Sequence, residues 1–173
     1  MTTKSELDHS ENAHNALESA NLEAIEPFAH AAEFTKFIEA GTARLTPRSV
    51  ARLVSEESAI REKLVELETA GLPQASVQLA FLLDVIEGFA FQRPTYATVP
   101  YQAALEAAFA VQYFHRDVDL LPDSLGPIGY LDDAAVAGTV IARHADTFAK
   151  LARVLRRDWS NISPDDPQSS PTG

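Results

Sequence analysis

The sequence predicts an all-α fold, a single helical bundle of four to five helices with an acidic, Pro/Gly-rich turn before the last helix. Three observations predict it. Hydrophobic residues make up 46% of the 173 residues, enough to bury a core. Alanine, leucine and glutamate dominate the middle of the chain, and apolar side chains recur there at helical spacing. Runs of Val, Ile and Thr alternating with polar residues are absent, so there is no strand signal. The length suits one domain plus tails. A helical domain is expected over 16–159, between disordered tails at 1–15 and 160–173, the last of them rich in Ser, Pro and Asp.

The first helix is expected over 21–40, with Pro27 inside it, Phe28, Phe34, Phe37 and Ile38 as its apolar face, and Gly41 as the C′ residue that ends it. The second begins at Thr46, an N-cap residue followed by Pro47 at the first helical position. It carries Val50, Leu53, Val54, Ile60, Leu64 and Leu67 on one face and a charged, solvated face opposite, and it stops at Gly71. The third, 73–92, is apolar on most sides and is predicted to be central, which requires Asp84 and Glu87 to face a rim or to be paired inside. The fourth, 99–114, is alanine-rich and suited to close helix packing. The fifth, 132–159, buries Val136, Val140, Ile141, Phe148, Leu151, Val154 and Leu155.

Charge and composition exclude several functions. The net charge of −11 disfavours nucleic acid as a partner. The basic group Arg153, Arg156 and Arg157 reads as a helix C-terminus complementing its own dipole. With no cysteine, the chain has no disulfide, thiol chemistry or cysteine-based zinc site. The polar N-terminus is not expected to be a signal peptide, and no charge-free stretch of transmembrane length occurs, with Glu106 interrupting the nearest candidate, 97–114. A cytoplasmic protein is expected. No nucleophile elbow, Walker loop or dinucleotide fingerprint is present. The tripeptide His115-Arg116-Asp117 lacks every other kinase element, and Glu11-x-x-His14 lacks the second pair that a di-iron bundle needs.

The distinctive segment runs from Phe114 to Asp133. It combines five aspartates with Leu, Ile and Tyr, two prolines and two glycines. Its apolar content predicts a turn that folds back onto the bundle. Phe114, Val118, Asp119, Leu120, Leu121, Pro122, Asp123, Pro127 and the run Gly129-Tyr130-Leu131-Asp132-Asp133 resemble the signature of the YkvA-like family, a widespread bacterial domain of unknown function. The resemblance extends less specifically over about 100–155, and the preceding helices resemble the longer members. Where the family carries Ser-Pro, this chain has Arg116-Asp117. The resemblance implies a helical domain without an assigned activity, membrane-associated in some members, whose signature residues here are Asp119, Pro122, Asp123, Gly129, Tyr130, Asp132 and Asp133.

Two chemistries fit those carboxylates. Asp132 or Asp133 is placed to cap the last helix, and Asp123 to cap a short turn. Alternatively, Asp119, Asp123, Asp132 and Asp133 would offer hard oxygen ligands to Mg²⁺ or Ca²⁺, although the spacing is not that of an EF-hand. His115 is expected to pair with Asp117 or Asp119, and His144 to sit at the core rim. The sequence therefore predicts a non-catalytic interaction or regulatory module with an unidentified protein partner and no cofactor, peripheral membrane association being one form of it. Two alternatives stay open: a divalent-cation-dependent enzyme or sensor using the four aspartates, and a membrane-inserted hairpin of the last two helices, against which Glu106 and the Asp pair argue.

Overall fold

A computed structural model describes residues 31–116 and 130–163. These residues form seven α-helices and no strand: α1 (Ala31–Thr42), α2 (Pro47–Ser55), α3 (Glu57–Thr69), α4 (Pro73–Ala90), α5 (Tyr101–His115), α6 (Leu131–Arg143) and α7 (Ala145–Val154). Short 3₁₀ turns at Pro94–Tyr96 and Trp159–Asn161 follow α4 and α7. The all-α fold is as predicted, but there are more helices than the four to five expected.

The excess has a local cause. The predicted second and fifth helices are each broken at one residue. Glu56 leaves the helical region at φ −97°, ψ 10°, and its N–H is shared between the carbonyls of Arg52 and Leu53. His144 does the same at φ −118°, ψ 23°. Both residues place side chains in histidine–glutamate hydrogen bonds with α5, described below. The apolar periodicity runs through both breaks, so the sequence shows one amphipathic stripe where the backbone makes two helices.

Local chemistry explains the other boundaries. Thr46 caps α2 as expected: its hydroxyl accepts the Ser49 N–H at 3.1 Å, and Ser49 Oγ accepts the Thr46 N–H at 2.8 Å. Pro47 fills the first position, where an N–H is not needed. Gly71, at φ +85°, closes α3, and the Leu72 N–H reaches back to the carbonyl of Leu67. Gly41 does not play that part. Helix α1 runs through it to Thr42, and a Cβ there would stand 2.0 Å from the Phe109 ring. Gly41 is a close-approach residue, which sequence position alone does not distinguish from a C′ glycine.

Helix α4 is central, packing against α2, α3, α5 and α6. Leu79, Phe81, Leu82, Leu83, Val85 and Ile86 are all buried. Helix α5 lies beside it and also meets α1, α2 and α6. Its buried alanines 103, 104, 107, 108 and 110 let these neighbours approach closely. Beyond Trp159, Ile162 is buried, and the carbonyls of Ile162 and Ser163 accept from Gln78 and Gln74 near the start of α4.

Helix α5 has 15 residues and α6 has 13, about 22 and 20 Å. Both fall short of a hydrocarbon core of about 30 Å. Among the described residues no helix is long and apolar enough to cross a membrane, so the membrane-inserted hairpin is not formed by these two helices.

Gly88 supplies a test of the packing. A Cβ there would lie 2.3 Å from the Tyr96 ring, which is itself buried. Gly88→Ala is expected to destabilise the fold by about 1–3 kcal/mol through overpacking, despite the better helix propensity of alanine. Thermal or urea unfolding measures this, and an unchanged or raised midpoint would show that Tyr96 is free to move.

Candidate functional site

The site is built around α5, which carries the side chains that hold the signature in place. Of the predicted signature residues, Tyr130, Asp132 and Asp133 open α6, while Asp119, Pro122, Asp123 and Gly129 lie outside the described residues. Asp132 is fully buried. Its Oδ2 accepts the Tyr113 hydroxyl at 2.8 Å, and its Oδ1 accepts the Asp133 N–H at 3.1 Å. Asp133 is equally buried beside it. The Tyr130 hydroxyl donates to Glu66 Oε2 at 2.9 Å, so the start of α6 is held by α3 on one side and α5 on the other. Lys63 of α3 adds a bond to the Phe114 carbonyl at 2.8 Å.

Neither aspartate is the helix cap that the sequence suggested. The N-cap position belongs to Tyr130, which makes no side-chain cap bond, and the aspartates occupy the second and third positions of the first turn. Negative charge there still complements the helix dipole. Among the described residues no three His, Asp or Glu side chains assemble into a group able to hold a metal ion.

Sequence spacing missed the cluster at the middle of α5. Glu106 is completely buried, yet all its bonding capacity is used. Arg143 donates from Nε to Oε2 at 2.9 Å and from its terminal nitrogen to Oε1 at 3.1 Å. Gln102 donates to Oε1 at 3.0 Å, and His144 Nε2 lies 2.9 Å from Oε2. Arg143 reaches on to Glu39 of α1 at 3.3 Å. Burial alone would raise the Glu106 carboxyl above its ordinary range; the bonds from Arg143, Gln102 and His144 outweigh it and hold it below that range. The sequence signal was one Glu in an alanine-rich helix and an Arg-His pair in another, which does not reveal that they meet.

A second pair ties the end of α5 to the α2–α3 break. His115 Nε2 lies 2.9 Å from Glu56 Oε2, so the partner of His115 among the described residues is Glu56. The pairings expected with Asp117 or Asp119 fall outside those residues.

Asp84 and Glu87 on α4 are paired, one of the two outcomes expected. Asp84 Oδ1 accepts from Arg61 at 2.8 Å, and its other oxygen pairs with Arg157. Arg157 therefore serves an ion pair and not the dipole of its own helix. Burial raises the Glu87 carboxyl, and a hydrogen bond shared with Glu57 raises it further. Glu57 moves down because it bonds Arg61. Glu87 is thus the member of this pair that holds a proton more readily.

One further group was overlooked. Arg44, Arg48 and Arg52 recur every fourth residue across the α1–α2 turn, with no acid between them. The −11 total charge hides this local excess.

Residues 103–138 match the model of a family described as a protein of unknown function, DUF1232. The match covers most of α5, the acidic turn and the first half of α6, in agreement with the YkvA-like resemblance. No curated protein and no solved structure matches the chain.

The Glu106 cluster predicts two measurable effects. Arg143→Met leaves a buried carboxylate without its main partner and is expected to cost about 3–5 kcal/mol. Glu106→Gln is expected to cost less, because Arg143 retains solvent. A carboxyl depressed in the folded state stabilises above its unfolded pKa, and the stability is lost as pH falls through the folded one. Stability of the wild type should therefore fall with acidification below about pH 4.5, and Glu106→Gln should flatten that limb. Unfolding midpoints between neutral and acid pH test this; parallel profiles for wild type and variant would contradict it.

Proposed function

We propose that this chain is a non-catalytic interaction module whose working surface is the corner between α4 and α5. The observation that carries the reading is the exposure of two large aromatic residues there. Phe91 is 61% and Tyr101 64% exposed, on either side of the 3₁₀ turn. The half-buried Phe89 ring lies 6.0 Å from Tyr101, and the Arg93 guanidinium lies 5.6 Å from the Phe91 ring. Aromatic side chains with an arginine are the composition enriched at protein interfaces. Tyr130 and Asp132, by contrast, are engaged in holding helices together, which supports a structural part for them. Peripheral membrane association is the form of this reading in which the corner meets lipid headgroups.

A photo-cross-linking side chain placed at position 91 is expected to capture a discrete neighbour in living cells. The same side chain at the exposed Val65 should not, and Tyr101→Ser should weaken capture from position 91. Equal capture from both positions, or capture indifferent to Tyr101→Ser, would remove the support for this surface. Sedimentation with phospholipid vesicles, lost in Phe91→Ser/Tyr101→Ser, would identify the neighbour as lipid.

A divalent-cation-dependent enzyme or sensor using the aspartates keeps one observation in its favour: Asp132 and Asp133 are adjacent and both buried. If that reading holds, millimolar Mg²⁺ or Ca²⁺ raises the melting temperature by mass action, and Asp132→Asn removes the rise. An unmoved melting temperature counts against it.

A further inference from the structure

We propose that the cavity between α1 and α5 binds a small amphiphilic anion, a carboxylic or phosphoric acid carrying an apolar chain. This site is separate from the α4–α5 corner, and its fate does not depend on the reading given there.

The cavity has a volume of about 450 Å³, within the usual range for small-ligand sites. Its walls are aromatic. Phe37 of α1 meets Phe109 and Tyr113 of α5 edge to face, with centroids 5.6 and 5.7 Å apart, and Phe109 lies 6.0 Å from Tyr113. Gly41 belongs to the same wall and leaves room for the Phe109 ring; any larger residue would drive that ring out of place. The walls thus suit an apolar chain.

The polar groups suit an acid. Arg44 and Arg116 both line the cavity. Both are exposed, and neither has an ion-pair partner among the described residues. Guanidinium groups beside an apolar wall are the arrangement that recognises carboxylate and phosphate. Arg48 continues the basic strip, whereas Arg52 is ion-paired with Glu56 at 2.7 Å. Arg44, Arg48 and Arg116 give this end a local positive charge within a protein of net charge −11, and that charge would attract an anion.

Gln112 supplies the third observation. It lines the cavity one turn after Phe109 on α5 and one turn before Arg116, which follows the helix, and its Oε1 is buried with no hydrogen-bond partner among the described residues. A buried acceptor left unbonded is disfavoured, so an N–H or O–H donor from a bound molecule would complete it. The favoured ligand is therefore an acid with an apolar chain and a donor near its polar end, as in an N-acyl amino acid.

Calorimetric titration of the full chain with N-decanoylglycine, decanoate and decanol tests the assignment. The two acids are expected to bind with one molecule per chain, N-decanoylglycine the more tightly, and decanol about tenfold more weakly or less. Arg44→Gln/Arg116→Gln, at exposed positions, should leave the ligand-free melting temperature unchanged and weaken both acids about tenfold or more. Ala40→Trp, which fills the cavity from its rim, should abolish binding of all three. Decanol binding as tightly as the acids, acids indifferent to the double arginine variant, or no binding at millimolar ligand would each overturn the proposal.

Discussion

The ionised carboxylate of Glu106, buried in the middle of an alanine-rich helix, constrains much of the surrounding structure. Placing that charge out of water is tolerable only if every oxygen is bonded. Four donor contacts arrive from three side chains, and each fixes an element. Gln102 lies one turn back on α5. Arg143 is the last residue of α6, so its bidentate grip sets where α6 ends against α5. His144 is the residue at which the helix breaks, and its ring reaches Glu106 from that break. Through Glu39 the same arginine brings in α1. An apolar residue at 106 would pack α5 against its neighbours without dictating the register of any of them. The carboxylate dictates it for three helices at once.

The breaks at Glu56 and His144 follow the same logic. Each is a point where a continuous amphipathic stripe gives up one helical residue, and each places an ionisable side chain against α5. The two pairs have opposite polarity. At the first break the carboxylate is on the break and the histidine on α5; at the second the histidine is on the break and the carboxylate on α5. Helix α5 is thus anchored near its middle and at its C-terminal end. Between those anchors Tyr113 projects to Asp132, so the start of α6 is located by the same helix. The signature segment is held at both ends by residues of α5 and α3, Lys63 and Glu66 included.

Much of this fold was legible in the sequence, and the exceptions share a physical cause. Helical periodicity located the helices, the Thr46-Pro47 start and the Gly71 stop, because these depend on neighbours within a few residues. The central position of α4 followed from its apolar circumference. What sequence could not supply was contact between distant positions. Glu106 appeared only as an interruption of an apolar run, because its partners stand 37 and 38 residues away. The helix breaks were hidden because a kink leaves the apolar stripe intact. Gly41 was read as the C′ residue of the first helix because its real reason, the Phe109 ring, lies 68 residues further on. Of the signature, Asp132 and Tyr130 could be recognised as special but not as a clamp, since the tyrosine and glutamate that complete it belong to other helices. The arginines at 44, 48 and 52 are legible in the sequence but are hidden within the net charge of −11.

The charges divide the molecule into two regions. Acidic side chains on α4, α5 and α6 are drawn into the interior and matched there by Arg61, Arg143, Arg157 and Tyr113. Arg44 and Arg116, by contrast, are left in solvent beside a cavity with aromatic walls. Tyr113 joins the two regions: its ring is a wall of the cavity, and its hydroxyl holds the buried Asp132. A molecule that filled the cavity would press on the side chain that locates α6. A ligand bound as proposed would therefore touch the ring whose hydroxyl holds the start of α6.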